Sequence, residues 1–147
     1  MPSITSCDHT GITVTDLERS LAFWQDVMGC TLAHRFDAEG EMAAKITGVA
    51  GAALRIAMLD APGGYRIELL QYTSPADRMH LRPRPCDVGS VHIAFTVDDI
   101  HGMKQKLVDA GCVVRGEPFG PPGMELVYMH DPDGTTIELM AQPKRMQ

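Results

Sequence analysis

Long apolar runs are missing from this 147-residue chain. No stretch approaches the ~18 residues that read as a membrane span, so a membrane protein of the helical kind is not expected. The opening residues Met1-Pro2-Ser3-Ile4-Thr5-Ser6 have neither the basic flank nor the apolar stretch of a signal peptide, and a cytoplasmic protein is expected. Basic residues are few: thirteen Lys and Arg against nineteen Asp and Glu give a formal net charge of −6. Their one clump, Arg82-Pro83-Arg84-Pro85, is too small to hold a phosphate backbone, so nucleic acid is disfavoured as a partner. Four cysteines (Cys7, Cys30, Cys86, Cys112) include no CxxC, and a chain of this size needs no staples. They read as free thiols, packed for the most part as small apolar residues. What is present is a globular composition, 44% hydrophobic and 22% charged, enough for one ordinary domain or two very small modules sharing a core.

Internal repetition decides between these. His9-Thr10-Gly11-Ile12-Thr13-Val14-Thr15-Asp16-Leu17 returns as His92-Ile93-Ala94-Phe95-Thr96-Val97-Asp98-Asp99-Ile100, 83 positions later. Gly29-Cys30 returns 82 positions later as Gly111-Cys112, and Gly64-Tyr65-Arg66-Ile67-Glu68-Leu69-Leu70 returns 70 positions later as Gly134-Thr135-Thr136-Ile137-Glu138-Leu139-Met140. Three matches in one order imply two copies of a module, about residues 5–74 and 88–142, within a single domain spanning 1–147. The shrinking gap puts extra residues in the first copy, around 39–52, a Gly- and Ala-rich piece that reads as a candidate lid around a short helix.

Each copy opens with an alternating strand and continues into an amphipathic helix. In the first copy Thr15 and Glu18 have capping-box spacing, Leu17, Leu21, Trp24 and Met28 form the stripe, and Gly29 is the stop. In the second, Asp98 or Asp99 caps, Ile100, Met103 and Leu107 form the stripe, and Gly111 stops it. Three strands then follow: near Thr31–Phe36, Ala53–Leu59 and Tyr65–Tyr72, and near Cys112–Arg115, Leu126–His130 and Thr135–Ala141. The unit is βαβββ, used twice, an α+β fold.

Alternation on these strands singles out four polar residues. Ile67 and Leu69, like Ile137 and Leu139, form faces that pack under a helix, so Glu68 and Glu138 point the other way. Ile12 and Val14, or Ile93 and Phe95, likewise leave His9 and His92 opposite the helices. A single strand histidine is most often a hydrogen-bonded structural residue, and a single glutamate most often faces solvent. Two His and two Glu at matched places in two copies are another matter, because independent surface positions have no reason to repeat as a set. Two neutral imidazoles and two carboxylates suit one divalent ion such as Zn, Ni, Co, Mn or Fe.

The segments HTGITVTDLERSLAFWQDVMGC, YRIELLQYTSP, VHIAFTVDDI and HDPDGTTIELM, spread over nearly the whole chain, resemble the vicinal oxygen chelate superfamily. That superfamily includes glyoxalase I, methylmalonyl-CoA epimerase, extradiol dioxygenases and fosfomycin- or bleomycin-resistance proteins. The resemblance implies paired βαβββ modules forming a cupped, barrel-like mixed sheet with helices outside, around one metal held by His9, Glu68, His92 and Glu138. It also implies a homodimer acting on a small molecule, with the site formed within one chain or across two.

Dioxygenases and fosfomycin-modifying relatives use two His and one carboxylate, so Glu68 as a fourth ligand favours the isomerase, epimerase and lyase branch. There the ion polarises a substrate carbonyl, stabilising an enediolate or enolate as the α-proton leaves, and Glu138 reads as the base with Glu68 as partner acid or base. Glyoxalase I-like chains carry Arg four residues after the first His and Asn four after the first Glu. Here these are Thr13 and Tyr72, which disfavours glutathione. Methylmalonyl-CoA epimerase uses an opposed acid on a strand where Ala53–Leu59 has none, and Glu41 or Glu125 could substitute only if their loops reach the site. The expectation is a glyoxalase I-like, metal-dependent isomerase or lyase. Alternatives are a methylmalonyl-CoA epimerase-like thioester epimerase, an extradiol-type Fe(II) dioxygenase and a non-catalytic drug-binding protein. Trp24 and the methionines read as packing, and His34, His80 and His101 as solvent-facing. His130 reads as an ordinary structural residue near the pocket mouth, and Arg35, Arg55 and Arg66 as partners in strand ion pairs.

Overall fold

The computed structural model describes residues 1–142, which fall into two compact units dividing between Arg78 and Met79. In the first unit the elements run β1 (Thr10–Thr13), α1 (Leu17–Ala22), β2 (Thr31–Glu39), α2 (Gly40–Thr47), β3 (Ala53–Asp60) and β4 (Arg66–Ser74). The second unit holds β5 (His92–Val97), α3 (Ile100–Asp109), β6 (Val113–Val114), β7 (Leu126–His130) and β8 (Thr136–Ala141). Each unit builds one four-stranded sheet, ordered β1-β4-β3-β2 in the first and β5-β8-β7-β6 in the second. In both, the outer strand pairs parallel with the last strand and the remaining pairs are antiparallel. The doubled βαβββ unit is therefore present, as an α+β fold. The barrel-like expectation needs correction: each sheet is open, with an edge strand paired on one side only at either end, and neither closes on itself.

Local chemistry explains the elements. The first helix starts one residue later than the capping-box spacing suggests, because Asp16 takes the cap and accepts the Arg19 N–H at 2.9 Å. Gln71 of β4 steadies the same end, accepting the Leu17 N–H at 3.1 Å. Beyond Ala22 the helix widens into a π-helical turn over Phe23–Val27, which keeps Phe23 and Trp24 buried. In the second unit Asp99 is the cap, accepting the Gly102 N–H at 2.9 Å. Both helices stop at a glycine with φ of +77° (Gly29) or +90° (Gly111), a backbone shape that other residues avoid.

The core of each unit lies between its helix and one sheet face. α1 lies against β3 and β4, α3 against β8 and β6, and Leu17, Trp24, Leu59, Ile67 and Leu69 in one unit, like Leu107, Met129, Ile137 and Leu139 in the other, are fully buried. The β3–β4 and β7–β8 turns are also twins. Ala61 N–H donates to Tyr65 O and Gly64 N–H to Ala61 O, and 70 positions on, Asp131 N–H donates to Thr135 O and Gly134 N–H to Asp131 O. Asp131 adds a side-chain brace, its Oδ1 accepting the Asp133 and Thr135 amides at 3.0 and 2.7 Å.

The inserted stretch of the first unit is ordered as α2, stopped by Gly48 at φ +70°. Its Ala43 packs with Ala52, Leu54 and Ile56, joined by Ala38, Val49, Leu70 and Tyr72. All four cysteines are free, but only Cys30 and Cys112 are packed as small apolar residues, where burial pushes their thiols up to about 11 and about 12. Cys7 and Cys86 are exposed, against the expectation of mostly buried thiols. Among the described residues no helix is long and apolar enough to cross a membrane.

Truncating Leu139, fully buried on the central strand β8, removes packing on both sides of that strand. Leu139→Ala is expected to lower unfolding free energy by about 2–5 kcal/mol in urea titration. A loss below half a kilocalorie would show that this side chain does not anchor the core.

Candidate metal site

Residues directly opposite in register share a face, so the pairing defines the surface each helix leaves uncovered. In the first sheet Gly11 stands beside Glu68 and Met58 stands opposite it, while Ile56 faces Leu70 and Leu54 faces Tyr72. His9, just ahead of β1, continues the alternation of Gly11 and Thr13. α2 sits on this same face, since its apolar partners Leu54, Ile56, Leu70 and Tyr72 belong to it. In the second sheet Ala94 stands beside Glu138 and Tyr128 opposite it; one rung away Thr136 lies between His92 and His130.

On each face the histidine reaches the glutamate. His9 Nε2 lies 3.3 Å from Glu68 Oε2, and His92 Nε2 lies 3.1 Å from Glu138 Oε2. The carboxylates are the sheltered members, 16% and 12% exposed, and the imidazoles the open ones, at 33% and 45%. The residue next to each glutamate is small. A Cβ on Gly11 would sit 3.5 Å from Glu68 Oε2 and 3.3 Å from Leu70 Cδ1, and its counterpart in the second copy is only Ala94. Asp8, which the sequence reading passed over, fixes the first ring from behind, its Oδ1 2.8 Å from His9 Nδ1. A carboxylate on the far nitrogen of an imidazole sets its orientation and raises its basicity. Accordingly the Asp8 hydrogen bond, aided by the Glu68 charge, holds the His9 pKa above its ordinary value against partial desolvation, and the same hydrogen bond lowers that of Asp8. In the second unit Tyr128 takes the place of such a prop, its ring meeting His92 edge-on with centroids 5.1 Å apart.

The four residues thus come together as two pairs. Among the described residues no group of three or more His, Cys, Asp or Glu side chains gathers as a metal cluster. Glu41 and Glu125 join neither pair: Glu41 is bonded to Lys45 at 2.7 Å along α2, and Glu125 Oε2 accepts the Gly123 N–H.

Comparison with known proteins agrees with this architecture. The model of the Glyoxalase/Bleomycin resistance protein/Dioxygenase superfamily matches residues 6–139. The chain belongs to this superfamily. It is 34% identical to a 2-epi-5-epi-valiolone epimerase of Actinomyces sp., over 97% of this chain and 82% of that protein. It is 32% identical to a probable lactoylglutathione lyase of Synechocystis sp., over 90% of this chain and 92% of that one. A solved glyoxalase family protein from Bacillus cereus superposes with a TM-score of 0.82 at 29% identity, covering 94% of both chains. The same fold is seen in a fosfomycin resistance protein of Listeria monocytogenes solved with Mn(II), with a TM-score of 0.62 at 17% identity over 97% of this chain and 94% of that one.

Within this glyoxalase-superfamily frame the remaining charged residues sort by face. Arg66 pairs across strands with Asp60 at 3.5 Å as expected, whereas Arg35 and Arg55 lie on the helix side and pair with Glu18 of α1 rather than with a strand neighbour. His34, His80 and His101 are all exposed as expected, and His80 is also hydrogen-bonded, its Nε2 2.6 Å from Asp133 O. His130 departs most from expectation: it is buried, on the face of Glu138.

In the metal-free protein the His9 imidazole should titrate above 6.5, and Asp8→Asn should bring it down. The corresponding stabilisation of the fold is full below pH ~6.5 and fades as pH rises through the raised pKa. Following the ring protons by NMR checks this; an unchanged midpoint in the variant would remove Asp8 from the site.

Proposed function

We propose that this protein is a divalent-metal-dependent enzyme of the isomerase or lyase type, transferring a proton at a carbon next to a carbonyl of a small-molecule substrate. His9, Glu68, His92 and Glu138 are the metal ligands of this reading, Glu138 is the base and Glu68 its partner. The observation that supports it is the recurrence, in two units, of one His–Glu pair on the sheet face opposite α1 or α3. The donor set fits: neighbouring ligands on bonds of ~2.1 Å stand about 3.0–3.4 Å apart, and the two N···O separations of 3.3 and 3.1 Å fall in that range. Neutral imidazoles with carboxylates suit first-row ions, Zn, Ni, Co, Mn or Fe.

When bound, such an ion supplies Lewis-acid polarisation of a substrate carbonyl, which acidifies the adjacent C–H. The chain's own residues then handle the proton. Glu138, largely shielded from water and beside His92, accepts it on a carboxylate oxygen and becomes a carboxylic acid. Glu68 or Glu138 returns it to the new position. Similarity to an epimerase at 34% identity favours epimerisation within this class. Thr13 and Tyr72, both on the Glu68 face, stand where glutathione-using relatives carry Arg and Asn, which argues against a glutathione conjugate. The reading takes the chain as one functional domain and as a homodimer.

Protein purified without a histidine tag is expected to carry a divalent metal and to lose it in His92→Ala. Solvent deuterium should enter candidate substrates bearing an α-proton, such as a hemithioacetal or a 2-methylmalonyl thioester, and Glu138→Gln should slow incorporation by about 10²–10⁴-fold. Absence of metal in the purified protein and no uptake on reconstitution would favour a drug-binding role. Fe(II) with O₂ consumption on catechols would replace the isomerase reading by a dioxygenase.

A further inference from the structure

The two units differ sharply at one rung beside the His–Glu pairs. In the first, the residues flanking that rung are Arg66 and Asp60, exposed and bonded to each other. Seventy positions later stand Thr136 and His130, again opposite each other in register, but buried to 2% and 6% exposure. Neither Thr136 Oγ1 nor His130 Nε2 has a hydrogen-bond partner among the described residues. Thr136 is also in register with His92 on its other side, so the orphaned pair lies immediately beside the His92–Glu138 pair on the same face.

Two guanidinium groups attend this place. Arg115 continues the β6–β7 register, its N–H donating to Tyr128 O at 2.9 Å, which sets it on the face of Tyr128 and Glu138. Arg82 lies along the β7–β8 turn: a Cβ on Gly134 would meet its Cγ at 3.1 Å, and His80 two residues earlier is tied to Asp133 O of the same turn. Neither arginine has a carboxylate partner among the described residues, unlike Arg84, which pairs with Asp87. The nearby Asp131 carboxylate is taken up by the turn amides. Burial, with the positive charges of Arg115 and Arg82, lowers the pKa of His130, so its ring is neutral at pH 7 and can present one N–H.

With the imidazole proton on Nε2, a threonine hydroxyl, a neutral imidazole N–H and two guanidinium groups without a carboxylate partner form a donor set with no matching acceptor among the described residues, and what completes it is an anionic oxygen. We infer that Thr136 and His130, with Arg82 and Arg115, form a subsite for an acid group, a carboxylate or phosphate, beside the His92–Glu138 pair. Placing that group on the substrate rests on the metal-enzyme reading above; the binding itself does not. The substrate class is then a carbonyl compound that carries an acid group.

The test uses the full chain, with inorganic phosphate and succinate titrated separately by calorimetry while the His130 ring nitrogens are followed by NMR. Saturable binding of one of them is expected, with a shift at His130. Thr136→Val and Arg115→Met should each weaken it by about tenfold or more, while Arg66→Ala leaves it unchanged. Arg115 is exposed, so its variant keeps the test open if Thr136→Val does not fold. Phosphate binding alone identifies a phosphorylated substrate, succinate binding alone a carboxylated one. Failure of both anions to bind, or binding indifferent to both variants, overturns the inference. Metal content is measured on the same samples. Metal retained in Thr136→Val and Arg115→Met with anion binding lost supports both readings as separate functions. Anion binding by a protein that takes up no metal would sink the metal reading and leave the subsite standing.

Discussion

Two central strands, β4 and β8, hold every candidate ligand in place through simple alternation. Ile67 and Leu69 flank Glu68, Ile137 and Leu139 flank Glu138, and all four aliphatic side chains are completely buried beneath their unit's helix. Turning either glutamate to the helix side would need a one-residue slip, which would carry both of its neighbours out of the core. Losing two such side chains from the interior costs about 3–6 kcal/mol, comparable to the whole stability of a small domain. The carboxylates are therefore held by apolar burial that is independent of any ligand. The parallel partner strands then bring in the histidines, His9 just ahead of β1 and His92 at the start of β5. Preorganisation of this kind matters for a site whose ligands come from separate strands, because side chains already oriented need little ordering on binding.

Much of this was legible before any coordinates, since it depends on period-two patterning and on repetition. The 83- and 70-residue spacings point to the doubled unit, and alternation points to the uncovered faces. What escaped the sequence has physical reasons. The cap moved from Thr15 to Asp16 because both are good caps one residue apart, and the Gln71 contact that steadies the helix end comes from a strand more than fifty residues away. The π-helical turn at Phe23–Val27 has no periodic signature of its own. Asp8 was passed over because nothing in the second copy repeats it; the edge of Tyr128 steadies His92 instead. The inserted segment matched nothing, yet it is packed through Ala43 of α2 and Val49 just beyond it onto the Glu68 face, which makes it a wall of that face in its own unit.

Repetition does not single out His130, because its counterpart is Asp60, a residue of different chemistry. Duplication conceals whatever the copies do differently. Where the first unit answers an aspartate with Arg66 in the open, the second buries two neutral polar groups that have no partner among the described residues. A buried polar atom without a partner costs about 1–3 kcal/mol, so two together would be a poor choice for a rung whose only role is structural. The surrounding charge points the same way. On the helix side of the first unit Arg35 and Arg55 share Glu18 as a partner, whereas Arg82 and Arg115, whose charges act on His130, have no carboxylate partner among the described residues of a chain with six excess negative charges. In a chain with acids to spare, cations left uncompensated beside orphaned donors mark a position whose missing partner is an anion from outside.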